Sequence, residues 1–384
     1  MTMTLTSTTS DERAAILEAV RDFAQSELAP HALEWDERKH FPREALGRAG
    51  ELGLGGIYVR EDVGGSGLSR SDSAAIIEEL AIADPAIAAY ISIHNMVAWM
   101  IDTYGTDEQR HAWLPKLTAM SDFGGYCLTE PGAGSDAAAL ATSAIRDGEE
   151  YVLTGVKQFI SGGGEASVYV VMARTGDPGA RGISAFLVPG DAPGLSFGAN
   201  EKKMGWNAQP TRQVILDEVR VPASALLGVE EQGFKIAMSG LNGGRVNIAA
   251  CSLGGAQFAL DRALRYVHER YTFGEALAEK QAVVFTLADM ATELRAARAL
   301  VRDAALALDE KASDAAMQCA MAKRFATDAG FRIANEALQL HGGYGYLHEY
   351  GIEKVVRDLR VHQILEGTNE IMRVIIGREL LGSS

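Results

Sequence analysis

The chain has 384 residues, enough for two or three domains and for a large core that needs no disulfide or metal to stabilise it. Its 51 acidic residues outnumber its 36 basic ones, giving a formal net charge of −15. This charge argues against a sequence-independent nucleic-acid binder and against a polybasic membrane-surface protein. Any anionic ligand must therefore be bound by a few particular Arg or Lys residues.

Targeting segments and metal sites are not expected. The first residues, MTMTLTSTTSDE, lack the apolar segment of a signal peptide and the Arg-rich character of a transit peptide. The most apolar run, residues 86–101, is interrupted by polar side chains and is too short to span a bilayer. The 3 cysteines are scattered, and the 8 histidines form no metal-ligand pattern. We therefore expect a cytoplasmic protein with no metal and no membrane partner.

The first third of the chain has a helical pattern. Apolar residues recur at three-to-four spacing over 16–28, behind a cap predicted at Ser10/Asp11. After a glycine-rich turn, further helices are predicted over 71–82, after the cap Asp84, and after Thr106, which begins a capping-box sequence. This part is predicted to be an α-helical domain.

The pattern changes after residue 123. Short β-rich segments follow one another without intervening helices, and each is bounded by Gly, Pro, Asp or Asn. They cover 151–154, 168–172, 183–188, 213–216 and 219–221. This arrangement is typical of an antiparallel sheet or a small barrel and not of a Rossmann unit. From residue 234 the chain is helical again, with long amphipathic runs over 277–309 and 312–340 and a shorter one over 369–381, which predict a bundle.

Three glycine-rich stretches could bind a ligand. In YCLTEPGAGSD (126–136), an apolar strand ends at Thr129 and a loop exposes backbone N–H groups and the Ser135 hydroxyl, which suits a polar ring or a phosphate. FISGGG (159–164) places an aromatic ring beside a hydroxyl, and the glycines of QLHGGYG (339–345) would let the backbone approach a ligand closely. Taken alone, the first two stretches are better explained as an ordinary turn and a hairpin, and the third fits a helix C-cap as well as a ligand site.

A fourth stretch, ILEGTNE (364–370), contains a candidate general base. Glu366 follows an apolar pair and precedes a glycine. A carboxylate among apolar residues is desolvated, which raises its pKa and suits it to proton abstraction. The helix predicted to follow would offer free N–H groups to an anionic or carbonyl oxygen. By itself Glu366 could also be a surface loop residue.

In this order and at this spacing, the stretches resemble the acyl-CoA dehydrogenase family over residues 10–382. YCLTEPGAGSD matches the family's first signature, and QLHGGYGY and ILEGTNEIMR match its C-terminal signatures. The resemblance implies an α+β fold with an N-terminal α-helical domain (1–123), a middle antiparallel β-domain (124–233) and a C-terminal four-helix-bundle domain (234–384). It also implies FAD as cofactor, an acyl-CoA substrate, the electron-transfer flavoprotein as electron acceptor, and a homotetramer built as a dimer of dimers.

The resemblance also implies roles for individual residues. Glu366 would remove the α-proton of the acyl thioester while the flavin N5 takes the β-hydrogen as hydride. The positions that match FAD contacts are Tyr126, Leu128, Thr129, Gly134, Ser135, Phe159, Ile160, Ser161, Arg270, Gln281, Gln339, Gly342, Gly343, Thr368, Asn369 and Glu370. Those from Arg270 to Gly343 would reach FAD across a subunit interface. The positions that match substrate contacts are Ser135, Asn242, Gly243, Gly244, Arg245, Gly367 and Arg378. Arg245 and Arg378 would supply the cations that CoA phosphates need.

Several stretches narrow the resemblance to one branch of the family. AYISIHNMVAWMID (89–102), SGLNGGRVNIAACSLG (239–254), FTLADMAT (285–292) and HGGYGYL (341–347) are similar to the branch that oxidises isobutyryl-CoA to methacrylyl-CoA in valine degradation. Butyryl-CoA and 2-methylbutyryl-CoA remain alternative substrates, because one methylene in an apolar pocket is worth only ~1–3 kcal/mol.

Other branches fit less well. Isovaleryl-type members carry their base at the position occupied here by Gly244, so Glu366 is the only family-matched base. Branches that became flavin monooxygenases or DNA-associated proteins typically lose the carboxylate at position 366, and the DNA-associated kind carries a basic face. The retained Glu366 and the acidic charge argue against both, and against a catalytically silent flavoprotein on the same fold.

Overall fold

The structure, a computed structural model, describes residues 9–382. The segment MTMTLTST, on which the expectation about a leader partly rests, lies outside the described residues. The N-terminal part consists of α1 (Ser10–Phe23), α2 (Ala32–Arg38), α3 (Arg43–Glu51), α4 (Arg70–Ala83), α5 (Pro85–Tyr104) and α6 (Asp107–Thr118). The last turn of α1 continues as a π-helical turn, Ala24–Leu28.

Helix caps explain where these helices begin. Asp84 accepts hydrogen bonds from the backbone N–H groups of Ala86 and Ile87, and Thr106 forms a capping box with Gln109, so both predicted caps are confirmed. The cap predicted at Ser10/Asp11 is wrong by one residue. Thr9 caps α1 instead, because its side chain and that of Glu12 bond each other's backbone N–H groups.

The middle part is a sheet. Its strands are β1 (Gly124–Cys127), β2 (Ser143–Asp147), β3 (Glu150–Ser161), β4 (Val168–Arg174), β5 (Ile183–Pro189), β6 (Leu195–Phe197), β7 (Thr211–Pro222) and β8 (Leu226–Leu227). They lie in the order β6-β7-β3-β2-β4-β5-β8, with β1 beside β4. The segments 213–216 and 219–221, predicted separately, belong to the single strand β7.

The sheet is mixed and not wholly antiparallel as expected. β1 runs parallel to β4 along four residue pairs, and β2 meets β4 in parallel at one pair, whereas the remaining pairings are antiparallel. β1 and β2 therefore point the same way, which requires a crossover connection and not a tight turn. Residues 128–142 are that connection, and they contain the loop that the sequence singled out.

The C-terminal part contains α7 (Gly233–Glu269), the hairpin strands β9 (Tyr271–Thr272) and β10 (Glu275–Ala276), α8 (Gln281–Asp309), α9 (Ala315–His341), α10 (Ile352–His362) and α11 (Asn369–Leu381). The three long helices α7, α8 and α9 pack on one another, and α10 and α11 pack on α9. The N-terminal helix α4 also packs on α7 and α8. The predicted helix 369–381 has the bounds of α11, while α8 starts at Gln281 because Leu277–Glu279 forms a separate 3-10 turn.

A buried polar cluster joins the three parts. The ammonium of Lys354 on α10 donates to Asp84, the cap of α5, at 3.0 Å and to Asp358 at 2.7 Å. Asp358 in turn accepts a hydrogen bond from the backbone N–H of Trp206, in the segment between β6 and β7, at 2.6 Å. Because the loop that carries Glu366 follows α10 directly, this cluster fixes its starting point relative to all three parts. No helix between residues 9 and 382 combines the length and apolarity needed to cross a bilayer.

Candidate active site

Glu366 lies in the loop between α10 and α11, with its carboxylate turned toward α7. Its φ is 52° and that of Gly367 is 90°, so two successive residues are left-handed. This backbone is unusual for a glutamate and typical of functional loops. The Oε2 atom is buried and has no hydrogen-bond partner among residues 9–382. A buried, unpartnered carboxylate oxygen is costly, and it is available to a ligand.

The carboxylate packs directly on the helix backbone at Gly244. A Cβ at residue 244 would lie 2.4 Å from Oε2, closer than any side chain could remain. Burial raises the pKa of Glu366 to about 7, against the opposing effect of the cations Arg245 and Lys323. A carboxyl group with a pKa near neutrality can accept a proton at physiological pH.

The predicted substrate positions on α7 surround this carboxylate. The Arg245 guanidinium is buried and donates to the backbone carbonyl of Glu366 at 3.2 Å and to Oδ1 of Asn242 at 2.8 Å. The side chain of Arg70 packs on Gly243. If residue 243 had a Cβ, that atom would lie 2.5 Å from Nη1 of Arg70. The structure thus brings Asn242, Gly243, Gly244, Arg245 and Gly367 together around Glu366.

Two functional candidates beside this site were not predicted from the sequence. The guanidinium of Arg70, at the start of α4, stacks on the rings of Tyr58 at 3.6 Å and Trp99 at 4.7 Å. Lys323 on α9 is fully buried and donates to the carbonyl of Gly367 at 2.8 Å and to Oδ1 of Asn369 at 2.9 Å. Both belong to helices whose sequence patterns predict structure and not chemistry.

Arg378 is not part of this group. It lies in the last turn of α11 and is exposed, and none of the side-chain hydrogen bonds or ion pairs among residues 9–382 involves it. Glu370 is exposed in the first turn of α11, whereas Asn369 is buried and Thr368 caps the helix by accepting the N–H of Ile371.

The connection 128–142 is held by a buried ion pair. Lys157, fully buried on β3, donates to Glu130 at 2.7 Å and to the carbonyl of Leu128 at 3.3 Å. Burial alone would raise the pKa of Glu130, but Lys157 and the backbone N–H groups of Ala141 and Thr142 bring it below its ordinary value. Neither member of the pair was predicted as functional, although Glu130 stands inside the YCLTEPGAGSD motif.

The aromatic and hydroxyl residues near this connection lie at adjoining strand ends. Tyr126, on β1, has a buried hydroxyl with no hydrogen-bond partner among residues 9–382. Burial raises its pKa, and the nearby Glu366 carboxylate acts in the same direction. The backbone carbonyl of Thr129 accepts from the N–H of Gln158, so the connection lies against the end of β3. There Phe159 has a φ of 59° and is 64% exposed, followed by buried Ile160 and half-buried Ser161.

A second group of predicted cofactor positions lines a separate cavity of about 370 Å³. Arg270, Gln339, Gly342 and Gly343 contribute to its wall, and the Arg270 guanidinium lies 5.6 Å from the centre of the Tyr344 ring. No residue of the 128–142 connection or of the Glu366 loop lines it. Gln281, the first residue of α8, is exposed and does not line it either. Within one chain, the predicted cofactor positions therefore form two groups.

Comparisons with known proteins place the chain in a family. Sequence profiles of the N-terminal, middle and C-terminal domains of acyl-CoA dehydrogenases match residues 10–121, 125–219 and 231–381. The chain belongs to the acyl-CoA dehydrogenase family. It is therefore an oxidoreductase of the class that acts on CH–CH bonds, and the expected order of an α-helical, a β and a second α-helical domain is confirmed.

Individual relatives are similar over nearly the whole chain. The mitochondrial isobutyryl-CoA dehydrogenase of Bos taurus is 54% identical over 97% of this chain and 89% of its own length. The enzyme of the same name from Dictyostelium discoideum is 56% identical over 94% of this chain and 86% of its own length. The solved structure of butyryl-CoA dehydrogenase from Megasphaera elsdenii superposes with a TM-score of 0.94 at 38% identity, covering 97% of this chain and 99% of that one.

Proposed function

We propose that the protein is an FAD-dependent dehydrogenase of a short branched acyl-CoA, converting isobutyryl-CoA to methacrylyl-CoA in valine degradation with Glu366 as the base. The observation that carries this proposal is the Glu366 carboxylate. It is buried against Gly244, one of its oxygens has no hydrogen-bond partner among residues 9–382, and burial raises its pKa to about 7. Within the described residues no group of three or more His, Cys, Asp and Glu side chains is placed to bind a metal.

The residues present are compatible with FAD. A Cβ at Gly134, Gly342 or Gly343 would meet nothing within 4 Å, so the backbone at these positions is open to a ligand. Among residues 9–382, the buried Tyr126 hydroxyl has no hydrogen-bond partner and Arg270 takes part in no ion pair. A polar ring would satisfy the hydroxyl, and a pyrophosphate would satisfy the guanidinium. When bound, FAD would accept the hydride from the β-carbon of the substrate.

The protein's own residues would handle the proton and the developing charge. Glu366, ionised above pH ~7, would take the α-proton and become the neutral acid that its buried position favours. Among residues 9–382, the backbone N–H of Glu366 has no acceptor. It is therefore free to donate to the thioester oxygen as negative charge develops there. Arg245 would hold the loop in this geometry through the Glu366 carbonyl.

The choice of substrate rests on sequence similarity. The two relatives named isobutyryl-CoA dehydrogenase are 54% and 56% identical to this chain, whereas the butyryl-CoA dehydrogenase structure is 38% identical. That last similarity supports butyryl-CoA as the second candidate, with 2-methylbutyryl-CoA as another short acyl chain. Discrimination by one methylene is limited to ~1–3 kcal/mol, so overlap among these substrates is expected.

Partners follow from the same proposal. Reduced flavin needs an acceptor of single electrons, for which the family resemblance implies the electron-transfer flavoprotein. Because Arg270 and the cavity around Gly342 stand apart from the Glu366 group, we propose that a second subunit completes each FAD site in a homotetramer. The cytoplasmic location stays a prediction from the sequence.

An anaerobic titration of the purified holoprotein tests the function. Flavin absorbance is followed on adding isobutyryl-CoA or n-butyryl-CoA to the wild-type protein and to Glu366→Gln. We expect faster and more complete bleaching with the branched substrate, and no bleaching in the variant although it binds FAD normally. Preference for the straight chain would move the substrate to butyryl-CoA. Near-normal reduction of Glu366→Gln would remove Glu366 as the base.

A further inference from the structure

Within the part of the chain that the structure describes, Lys323 is a buried cation that bonds no carboxylate. The two other strongly buried lysines, Lys157 and Lys354, each bond a carboxylate at 2.7 Å. None of the ion pairs among residues 9–382 includes Lys323, which is fully buried and donates only to amide and carbonyl oxygens. Burying a charge without a counter-charge is expensive. The Lys323 ammonium lowers the proton affinity of the Glu366 carboxylate.

Lys323 bonds the left-handed part of the loop that carries Glu366. Glu366 and Gly367 are both left-handed, and their carbonyl groups are bound by cations from two different helices. Arg245 on α7 donates to the carbonyl of Glu366, and Lys323 on α9 donates to that of Gly367. A left-handed non-glycine residue costs about 1–2 kcal/mol, so these two bonds help to keep the loop in the conformation that buries the carboxylate.

Lys323 also ties this loop to the start of α11. Its ammonium donates to Oδ1 of Asn369, whose amide nitrogen donates to Thr327 at 3.0 Å and to Asp328 at 2.7 Å. The same nitrogen also donates to the backbone carbonyl of Arg324 at 3.4 Å, so four residues of α9 bond Asn369. Of these four, Lys323 alone bonds the loop backbone next to Glu366 within residues 9–382.

We propose that Lys323 is a positioning residue for the base: its ammonium fixes the loop at Gly367 and favours the ionised form of the Glu366 carboxylate. This inference rests on the proposed role of Glu366. It goes beyond that role by naming a second cation, from a different helix, on which proton abstraction near neutral pH depends.

Other ionisable groups surround Glu366 and Lys323 and affect their ionisation. The ionisable groups that act on Glu366 or are acted on by it are Arg245, Lys323, Tyr58, Tyr126 and Cys251. Those that act on Lys323, besides Glu366 and Arg245, are Asp328 and Glu370, and burial together with Lys323 lowers the pKa of His362 on α10. Burial lowers the pKa of Lys323 to about 8, with Glu366 opposing that effect, so the ammonium remains mostly charged below that pH. Since Arg245 stays charged throughout, Lys323 is the cation whose removal can be tested without changing a predicted substrate contact.

Three variants of the holoprotein separate charge from packing. Lys323→Met removes both the charge and the donors, and Lys323→Gln keeps a donor but removes the charge. Thr327→Val, one turn further along α9, is the matched control because it removes a bond to Asn369 without changing any charge. Two measurements are made on each protein: the pH dependence of anaerobic flavin reduction, and an infrared titration of the Glu366 carboxyl stretch without substrate, assigned by its loss in Glu366→Gln.

Both Lys323 variants are expected to move the titration of Glu366 from about 7 to about 8, in the infrared signal and in the kinetic profile alike. The ionised fraction at pH 6, and with it the rate, would fall about tenfold. Thr327→Val is expected to leave the titration in place. An unchanged titration in Lys323→Gln, or an equal change in Thr327→Val, would show that Lys323 has only a structural role.

The two measurements distinguish a wrong role for Lys323 from a wrong proposed function. If isobutyryl-CoA does not reduce the flavin but the infrared titration moves as expected, Lys323 keeps its role and the substrate is wrong. If Lys323→Met does not fold, Lys323→Gln still gives both readings, because it retains a donor to Gly367.

Discussion

The carboxylate of Glu366 lies on the bare backbone of Gly244, where a Cβ would come within 2.4 Å of Oε2 and 2.8 Å of the carboxyl carbon. The base comes from the loop before α11, and the space that it occupies comes from α7. The missing side chain at residue 244 is thus part of the site, because any larger residue would compete with the base for the same position.

Gly244→Ala is therefore expected to displace the carboxylate while leaving the helix intact. Alanine favours a helix over glycine by about 1 kcal/mol, so stability should not fall, but the rate of flavin reduction should drop about 10- to 100-fold. Stopped-flow reduction by isobutyryl-CoA measures this. Gly47→Ala on α3, where a Cβ meets nothing within 4 Å, is the control and should react normally. A wild-type rate in Gly244→Ala would mean that the reacting carboxylate lies elsewhere.

Ionisation of Glu366 should make the folded protein less stable as the pH rises. Burial raises the pKa of Glu366 from its ordinary value of 4.5 to about 7, so between these values the folded state holds a proton that the unfolded chain has released. The stabilisation is complete below pH 4.5 and is lost as the pH passes 7, where the charge costs up to about 3 kcal/mol.

Glu366→Gln should consequently be more stable than the wild-type protein at pH 8, by up to about 3 kcal/mol, and nearly equal to it at pH 5. Urea unfolding at fixed protein and FAD concentrations measures the difference. Glu370→Gln, an exposed carboxyl in the same segment, should show no comparable gain at pH 8. If the advantage of Glu366→Gln were the same at both pH values, the burial of Glu366 would not control its ionisation.

Local chemistry made much of the fold predictable from the sequence. The caps at Asp84 and Thr106 and the bounds of α11 depend on residues within one turn of each other, and these predictions are confirmed. The parallel pairing of β1 with β4 could not be predicted, because it depends on how the connection 128–142 crosses the sheet. The Ser10/Asp11 cap was wrong because two neighbouring residues could equally serve as caps, and only the Thr9–Glu12 pairing decides between them.

Site residues that belong to a family motif could be predicted from the sequence. Site residues that stand in an ordinary helical sequence could not. Lys323 stands in a helical sequence in which a lysine normally faces solvent. Its burial follows from the close packing of α9 on α7 and α11. The alanines at 320 and 326 on either side of it were the sequence feature that indicated a buried helix face. Arg70 likewise stands at a helix start, and its position between two aromatic rings depends on α5 and on the loop before α4.

The buried pair of Lys157 and Glu130 should be required for FAD retention. Lys157→Met would leave the Glu130 charge buried and unpaired, at a cost of about 3–5 kcal/mol, and would release the connection 128–142. Thermal unfolding and FAD dissociation measure the two effects. Adding Glu130→Gln should restore part of the stability, because it removes the unpaired charge.

An exposed ion pair in the same sheet provides the control. Arg220 on β7 pairs with Asp147 and Glu150 at the surface, and Arg220→Met should change stability by no more than about 1 kcal/mol. If Lys157→Met were as harmless as Arg220→Met, the pair would not be what holds the connection.

Arg270 should contribute to FAD binding only where two subunits meet. The guanidinium lines a cavity together with Gln339 and the open backbone of Gly342 and Gly343, a wall suited to a pyrophosphate. The positions of the same chain that are predicted to contact the flavin ring, between residues 126 and 161, do not line this cavity. Arg270→Met is therefore expected to lower FAD affinity at least tenfold, since a charge-assisted bond to phosphate is worth about 1.5–3 kcal/mol.

If the cavity is completed by a partner subunit, this loss should depend on assembly. Equilibrium dialysis of FAD combined with sedimentation over a range of protein concentrations should show that wild-type FAD affinity falls as the oligomer dissociates. Arg270→Met should already be weak in the intact oligomer. Arg265, an exposed arginine near the end of α7, the helix that precedes Arg270, supplies the control, and Arg265→Met should bind FAD as the wild-type protein does. A monomer that holds FAD at full affinity would contradict both the shared site and the role of Arg270 in it.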